Sequence, residues 1–135
     1  MPPTVRIRRD VLTQMSQESR RFPNMECCGL LAGSDGIITR AFPATNALAS
    51  ITAYEIAPDE LFRLMKEIRA AGLQLLGIYH SHPKGDNAPS SRDIERAYYP
   101  EAAYFIISSL PEAPKPVRAF SIRDRQVEEL NIESI

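Results

Sequence analysis

The sequence predicts an α/β (α+β) fold with a mixed central β-sheet flanked by helices, and three observations support this prediction. Short apolar runs typical of strands alternate with amphipathic segments that repeat at the helical period. The composition, 44% hydrophobic and 24% charged, is that of an ordinary globular protein. The length of 135 residues suits one compact core. We therefore expect residues 1–135 to form a single domain.

Strands are predicted where short apolar or alternating runs are bounded by turn signals. In chain order these are Val5–Arg8, Cys28–Ala32, Ile37–Phe42, Ala53–Ile56, Leu73–Tyr79, Ala103–Ser108, Val117–Ile122 and Gln126–Ile132. The turn Gly33–Gly36 predicts that the second and third strands form a hairpin. The run from Leu73 has almost no polar interruption, which indicates a strand buried on both faces.

Three helices are predicted between these strands. Asp10 is expected to cap the first helix, which continues to about Arg21. Pro58 lies in the first turn of the second helix, where its missing N–H costs nothing, and Gly72 follows the end of that helix. The third helix is predicted to begin at Ser90 or Ser91 and to continue to about Tyr98.

Charge and hydropathy exclude several classes of function. Sixteen basic and seventeen acidic residues give a net charge of −1, which argues against a general nucleic-acid partner. No apolar run approaches the roughly 20 residues of a membrane span. The first twelve residues lack the apolar core of a secretory signal, so a cytoplasmic location is expected.

The two cysteines, Cys27 and Cys28, are adjacent in the sequence. A disulfide between them would be strained and would close no useful loop, so we expect reduced thiols. Neighbouring residues of a strand point to opposite faces, and one metal ion could therefore not bind both. We predict that neither cysteine is a metal ligand.

Chemically informative residues are concentrated around the only two histidines, His80 and His82. Residues two apart in an extended segment project to the same side, so both imidazoles can bind one ion at the end of the preceding strand. Asp93 can return a carboxylate to that ion from the next helix. Two histidines and one carboxylate leave one tetrahedral position open, which is typical of catalytic zinc. Alternatively, the histidines end an exposed strand, and Asp93 forms a capping box with Ser90.

A zinc hydrolase also needs a general base, and the spacing alone does not select one among seventeen acidic residues. Glu26 is a candidate because it precedes a buried apolar strand, where an unpaired acid is unusual. An exposed loop glutamate is an equally good interpretation of Glu26 from the residues alone.

These residues together resemble the JAMM, or MPN+, zinc metalloprotease family. The match consists of His80-Ser81-His82, then Ser90 after seven residues and Asp93 after two more, with the upstream segment from Glu26 to Gly33. Asn46, after the hairpin, is a secondary similarity. The resemblance extends from about Pro23 to Ser109, and the order of the motifs along the chain also agrees.

The resemblance implies an MPN-type domain of cytidine-deaminase-like architecture and a defined set of roles. His80, His82 and Asp93 would bind one Zn²⁺ per chain, with a catalytic water. Glu26 would take the proton of that water and pass it to the leaving amine. Ser90 would donate a hydrogen bond to the tetrahedral oxyanion.

The resemblance also implies a substrate class. Small bacterial members similar to the Mec-like peptidases cleave a peptide or isopeptide bond after the C-terminal Gly-Gly of a ubiquitin-like or sulfur-carrier protein. The loop Lys84–Ala88 is short, so the chain lacks the long insertions of specialised deubiquitinases. The alternative is a non-catalytic MPN-type binding module for a ubiquitin-like partner. A zinc nucleoside deaminase would require a Pro-Cys-x-x-Cys motif, which Cys27-Cys28 does not supply.

Overall fold

The computed structural model describes residues 3–110 and 112–135, and in these ranges the chain forms three helices and seven strands. The elements are β1 (Thr4–Ile7), α1 (Arg9–Arg21), β2 (Cys28–Ser34), β3 (Ile37–Ala44), α2 (Pro58–Ala70), β4 (Gln74–His82), α3 (Ser91–Glu95), β5 (Ala103–Ser108), β6 (Val117–Arg123) and β7 (Gln126–Ser134). The predicted α/β class and the hairpin of β2 and β3 are confirmed.

The strands form one mixed sheet in the order β1-β3-β2-β4-β5-β6-β7. β1 runs parallel to β3 and to β7, β4 runs parallel to β5, and the remaining neighbours are antiparallel. The pairing of β1 with β7 closes the sheet into a barrel. The sequence predicts the mixed sheet but not its closure, because the pattern of one strand does not specify a partner at the other end of the chain.

Two layers of apolar side chains cover the two faces of the central strands. Val11 and Met15 of α1 pack in one cluster with Tyr79 of β4. Leu64 and Ile68 of α2 pack in a second cluster with Ile78 of β4. Because side chains alternate between the faces of a strand, β4 directs every second residue towards the α2 side.

Helix α2 begins and ends where the sequence predicts. Pro58 occupies the first helical position, and Asp59 and Glu60 follow in the first turn, where acidic groups interact favourably with the helix dipole. Gly72 has a φ of 74°, a left-handed conformation that glycine adopts without steric cost.

The other two helices differ from the prediction at one end. Arg8, not Asp10, is the N-cap of α1, and the Asp10 carboxylate instead accepts hydrogen bonds from the Arg8 guanidinium at 2.9 and 3.1 Å. α3 ends at Glu95 and does not reach Tyr98. The backbone N–H of Tyr99 donates to the Tyr104 hydroxyl at 3.0 Å, so the chain has left the helix to contact β5.

The predicted strand over Ala53–Ile56 is wrong, because this segment forms no strand. The side chain of Asn46 takes the backbone groups that a strand partner would bind. Its Nδ2 donates to the Ala53 carbonyl at 2.9 Å, and its Oδ1 accepts from the Glu55 N–H at 3.2 Å. No helix in the described part of the chain is long and apolar enough to span a membrane.

Candidate metal centre

The last three residues of β4 place both imidazoles on one face of the sheet. His80 and His82 lie within β4, which continues three residues beyond Tyr79, the predicted end of the strand. His80 is almost fully buried, with 1% of its surface exposed. Between them, the Ser81 hydroxyl accepts a hydrogen bond from the Cys27 N–H at 2.9 Å, which ties β4 to the segment that precedes β2.

Asp93 reaches the histidines from the first turn of α3, where it also forms the capping box expected with Ser90. Its backbone N–H donates to the Ser90 Oγ at 3.0 Å, and the Ser90 N–H donates to its Oδ2 at 2.9 Å. The same carboxylate lies 3.2 Å from His80 Nε2 through Oδ1 and 3.1 Å from His82 Nε2 through Oδ2. The cap therefore fixes the carboxylate in front of both imidazoles.

The arrangement of these atoms suits a cation between them. The Nε2 atoms of His80 and His82 are 3.2 Å apart, and one ligand atom from each of the three residues lies within 4.8 Å of the others. Tetrahedral zinc with bonds of about 2.0–2.1 Å would separate neighbouring ligand atoms by about 3.3–3.4 Å. The His82 Nδ1 lies 2.7 Å from the Asp86 carbonyl, which only accepts, so Nδ1 carries the hydrogen. In the neutral ring Nε2 then presents a lone pair to the ion.

The charge states of His80 and Asp93 also favour metal binding, whereas the protonation that the raised pKa of His82 favours would compete with the metal. Burial lowers the pKa of His80, which keeps this imidazole neutral. Burial alone would raise the pKa of Asp93, but hydrogen bonds from His80 and His82 hold it well below its usual range. The pKa of His82 is raised, since its hydrogen bonds to Asp93 and Asp86 outweigh the opposing effect of burial. His80, His82 and Asp93 form a group that could hold a metal ion.

Glu26, just before β2, is buried, which excludes the exposed-loop interpretation. Its backbone is fixed, because its N–H donates to the Ser50 carbonyl at 2.8 Å and its carbonyl accepts from Asn46 Nδ2 at 3.0 Å. Burial raises the pKa of its carboxyl to about 8, and the charges of His82, Asp93 and Arg92 act on it as smaller effects. Its Oε1 has no hydrogen-bond partner among the residues that the structure describes. A buried carboxyl oxygen in this state is rare and is typical of functional sites.

The two cysteines are buried thiols that form no disulfide within residues 3–110 and 112–135. Burial raises the pKa of Cys27 to about 11, so this thiol stays protonated near neutral pH and is a poor ligand. That neither cysteine binds metal stays a prediction.

A cavity of about 300 Å³ lies beside Asp93. Its lining is mainly aromatic and aliphatic, and includes Tyr54, Leu61, Ile78 and Tyr104. Tyr54 was not singled out in the sequence analysis, because a lone aromatic residue in a loop has no pattern that distinguishes it. The Tyr54 ring is stacked on the His80 imidazole, with the ring centroids 4.5 Å apart and the ring planes inclined by 24°.

With this geometry established, comparison with known proteins identifies the family. A family model described as prokaryotic homologs of the JAB domain matches residues 8–123. The chain belongs to this family. The resemblance to JAMM/MPN+ proteins drawn from the motif residues is thereby confirmed.

Relatives of known name and solved structures support the assignment. The chain is 38% identical over 104 residues to a desampylase of Haloferax volcanii, covering 75% of each chain. It is 33% identical over 125 residues to the CysO-cysteine peptidase of Mycobacterium tuberculosis, covering 91% of this chain and 86% of the relative. A protein from Desulfitobacterium hafniense has a solution structure with a TM-score of 0.84 and 32% identity, covering 98% and 92% of the two chains. The chain is an enzyme of this peptidase family.

Proposed function

We propose that the chain is a zinc-dependent metallopeptidase that hydrolyses a peptide or isopeptide bond after the C-terminal Gly-Gly of a ubiquitin-like or sulfur-carrier protein. One observation carries the proposal. The donor atoms of His80, His82 and Asp93 converge on one point, and the charges of His82 and Asp93 act on the buried carboxyl of Glu26, whose Oε1 has no partner among the described residues. A metal site beside a potential proton acceptor is the arrangement that hydrolysis of an amide requires.

The donor set of His80, His82 and Asp93 supports zinc in preference to magnesium or calcium. Two imidazole nitrogens and one carboxylate oxygen are ligands that zinc accepts, whereas the harder cations prefer all-oxygen sites. Three protein ligands leave a fourth position for water or substrate. Zinc bound there would lower the pKa of a water molecule and polarise the scissile carbonyl.

Glu26 is proposed as the general base and then the general acid. Its carboxylate would take a proton from the attacking water and deliver that proton to the leaving amine. The raised pKa, about 8, suits this exchange, because a group that titrates near the working pH can both accept and release a proton. The fixed backbone of Glu26 keeps the carboxyl in one position during both transfers.

Ser90 is proposed to stabilise the oxyanion. Its Oγ accepts the Asp93 N–H at 3.0 Å, so the hydroxyl hydrogen is not used in the cap. That hydrogen can point towards the developing negative charge. A positioned donor of this kind is worth about 2.7–4 kcal/mol in the transition state.

The substrate class rests on the relatives and on the shape of the site. One relative is named for the CysO-cysteine bond, and the other is a desampylase. An extended Gly-Gly tail has no side chains, so its backbone can approach closely to a centre built on a sheet face. We propose that residues 1–135 act as one domain on such a carrier. The thiols of Cys27 and Cys28 suit a reducing compartment, and we propose the cytoplasm.

Cleavage of defined carriers tests the proposal. Zinc-loaded protein is incubated with Gly-Gly carriers that bear a C-terminal cysteine, a longer extension or a lysine-linked peptide, and products are measured by intact mass. Glu26→Gln should keep zinc and carrier binding while cleavage falls by roughly 10²–10⁴-fold. Glu128→Gln, the same change at an exposed site on β7, is the matched control.

One result would contradict the role of Glu26, and another would contradict the cleavage activity itself. Near-normal cleavage by Glu26→Gln with zinc intact would remove Glu26 from the mechanism. Tight carrier binding by the zinc-loaded wild type without cleavage of any of the three substrates would instead favour the non-catalytic binding module.

A further inference from the structure

The two imidazoles of the metal centre are held in different ways. The His82 Nδ1 lies 2.7 Å from the Asp86 carbonyl, a hydrogen bond that fixes the plane of this ring. The His80 Nδ1 is buried and has no hydrogen-bond partner in the part of the chain that the structure describes. Metal-binding histidines almost always use their second nitrogen for such a bond, which orients the ring. Another contact must therefore set the plane of His80.

The ring of Tyr54 lies against one face of the His80 imidazole. The two rings are stacked, with centroids 4.5 Å apart and planes inclined by 24°, which is within the range of favourable aromatic pairs. We propose that Tyr54 is a positioning residue for His80, and that its ring keeps the imidazole plane aligned so that Nε2 points at the metal position. This inference rests on the proposed metal function.

A buried amide helps to hold Tyr54 in place. Asn46 is 5% exposed, and it binds the backbone on both sides of Tyr54: its Nδ2 donates to the Ala53 carbonyl, and its Oδ1 accepts from the Glu55 N–H. The same Nδ2 donates to the Glu26 carbonyl at 3.0 Å. One side chain therefore links the loop that carries the stacking ring to the segment that carries the proposed base.

The hydroxyl of Tyr54 has no part in this role, because the stack needs only the ring. Tyr54→Phe should therefore behave as the wild type, whereas Tyr54→Leu keeps apolar bulk and loses the stack. Tyr54 also lines the cavity beside Asp93, so cleavage alone would not separate a loss of substrate contact from a loss of metal support. Zinc affinity measured without substrate makes that separation.

The test compares zinc affinity by competition with a chromogenic chelator in four proteins: wild type, Tyr54→Phe, Tyr54→Leu and Tyr98→Leu. Tyr98 lines the same cavity but is 73% exposed, so its substitution is the matched control. We expect Tyr54→Leu to bind zinc about 10-fold to 100-fold more weakly, the usual effect of removing a partner that orients a ligand. Tyr54→Phe and Tyr98→Leu should match the wild type.

The outcomes separate this inference from the proposed function. A wild type that binds no zinc would overturn both. A wild type that binds zinc, together with a Tyr54→Leu protein of equal affinity, would overturn only the role of Tyr54. Equal losses in Tyr54→Phe and Tyr54→Leu would also overturn it, since the hydroxyl would then be responsible. If Tyr54→Leu does not fold, Tyr54→Met, which keeps a longer apolar side chain without a ring, gives the same comparison.

Discussion

Replacing Glu26 with glutamine should change how the stability of the metal-free protein depends on pH. Burial raises the pKa of the Glu26 carboxyl from its ordinary value of 4.5 to about 8 in the folded protein. Between these two values the folded protein holds a proton that the unfolded chain has released. The folded state then binds more protons, so the free energy of unfolding falls as the pH rises, and the fall ends near pH 8.

The size of the effect follows from the two pKa values, 4.5 and about 8. Each pH unit between them lowers the free energy of unfolding by about 1.4 kcal/mol. Burial of Glu26, which at these pH values is ionised mainly in the unfolded chain, therefore costs the wild type about 3 kcal/mol at pH 7 and about 4 kcal/mol at pH 8. Glutamine has a similar volume and no charge, so the variant lacks this cost.

Urea unfolding of the zinc-stripped proteins at pH 5 and pH 8 measures the effect. Glu26→Gln should be more stable than the wild type, and the difference should grow by about 3 kcal/mol or more between the two pH values. Glu128→Gln, at an exposed position, should show no such growth. A difference between wild type and Glu26→Gln that is the same at both pH values would refute the argument from burial. The titration of other groups is common to both proteins and cancels.

Three further sets of substitutions test the metal centre and its surroundings. His82→Ala removes a proposed ligand, and metal analysis should show loss of most of the one zinc per chain that we propose. Ser90→Ala should lower the free energy of unfolding by about 1 kcal/mol, because the helix cap is lost. It should also lower the rate of cleavage by about 10²–10³-fold. Ser91 is exposed in the same turn, and Ser91→Ala should change neither quantity. The Cys27→Ser, Cys28→Ser protein should fold and keep its zinc; a folded double variant without zinc would show that a thiol is a ligand.

Strands with uninterrupted apolar runs were predictable. A segment whose backbone is bound by a distant side chain was not, and it was wrongly predicted to be a strand. The strand at Ala103–Ser108 was predicted with its observed bounds, because burial on both faces requires a continuous apolar run. The strand expected over Ala53–Ile56 has suitable residues, but Asn46 binds its backbone groups from seven residues upstream. A local pattern does not contain a side-chain contact of this kind.

The same limit applies to the metal centre. The convergence of His80, His82 and Asp93 was predictable, because the two-residue spacing of the histidines and the return of Asp93 from the next helix allow two imidazoles and a carboxylate to meet, and the motif resembles a known metal-binding one. The burial of Glu26 was not predictable, since a residue just before a strand can be either buried or exposed. The stacking of Tyr54 on His80 was not predictable either, because it depends on how a loop is held in three dimensions.

The pairing of β1 with β7 has a consequence for the order of folding. The Arg6–Glu133 contact across this seam joins residues 127 positions apart. The strands that position the histidines pair over shorter separations: β2 and β3 are consecutive, and the β2–β4 partners Gly33–Gln74 and Cys28–His80 are 41 and 52 positions apart. Long-range parallel pairing carries a large loop-closure cost and forms late. We expect pulsed hydrogen exchange during refolding to protect the amides that bond β2 to β4 before those that bond β1 to β7. The chain would then assemble its histidine-bearing strands while the barrel is still open, and the seam between β1 and β7 would be the last pairing to become protected.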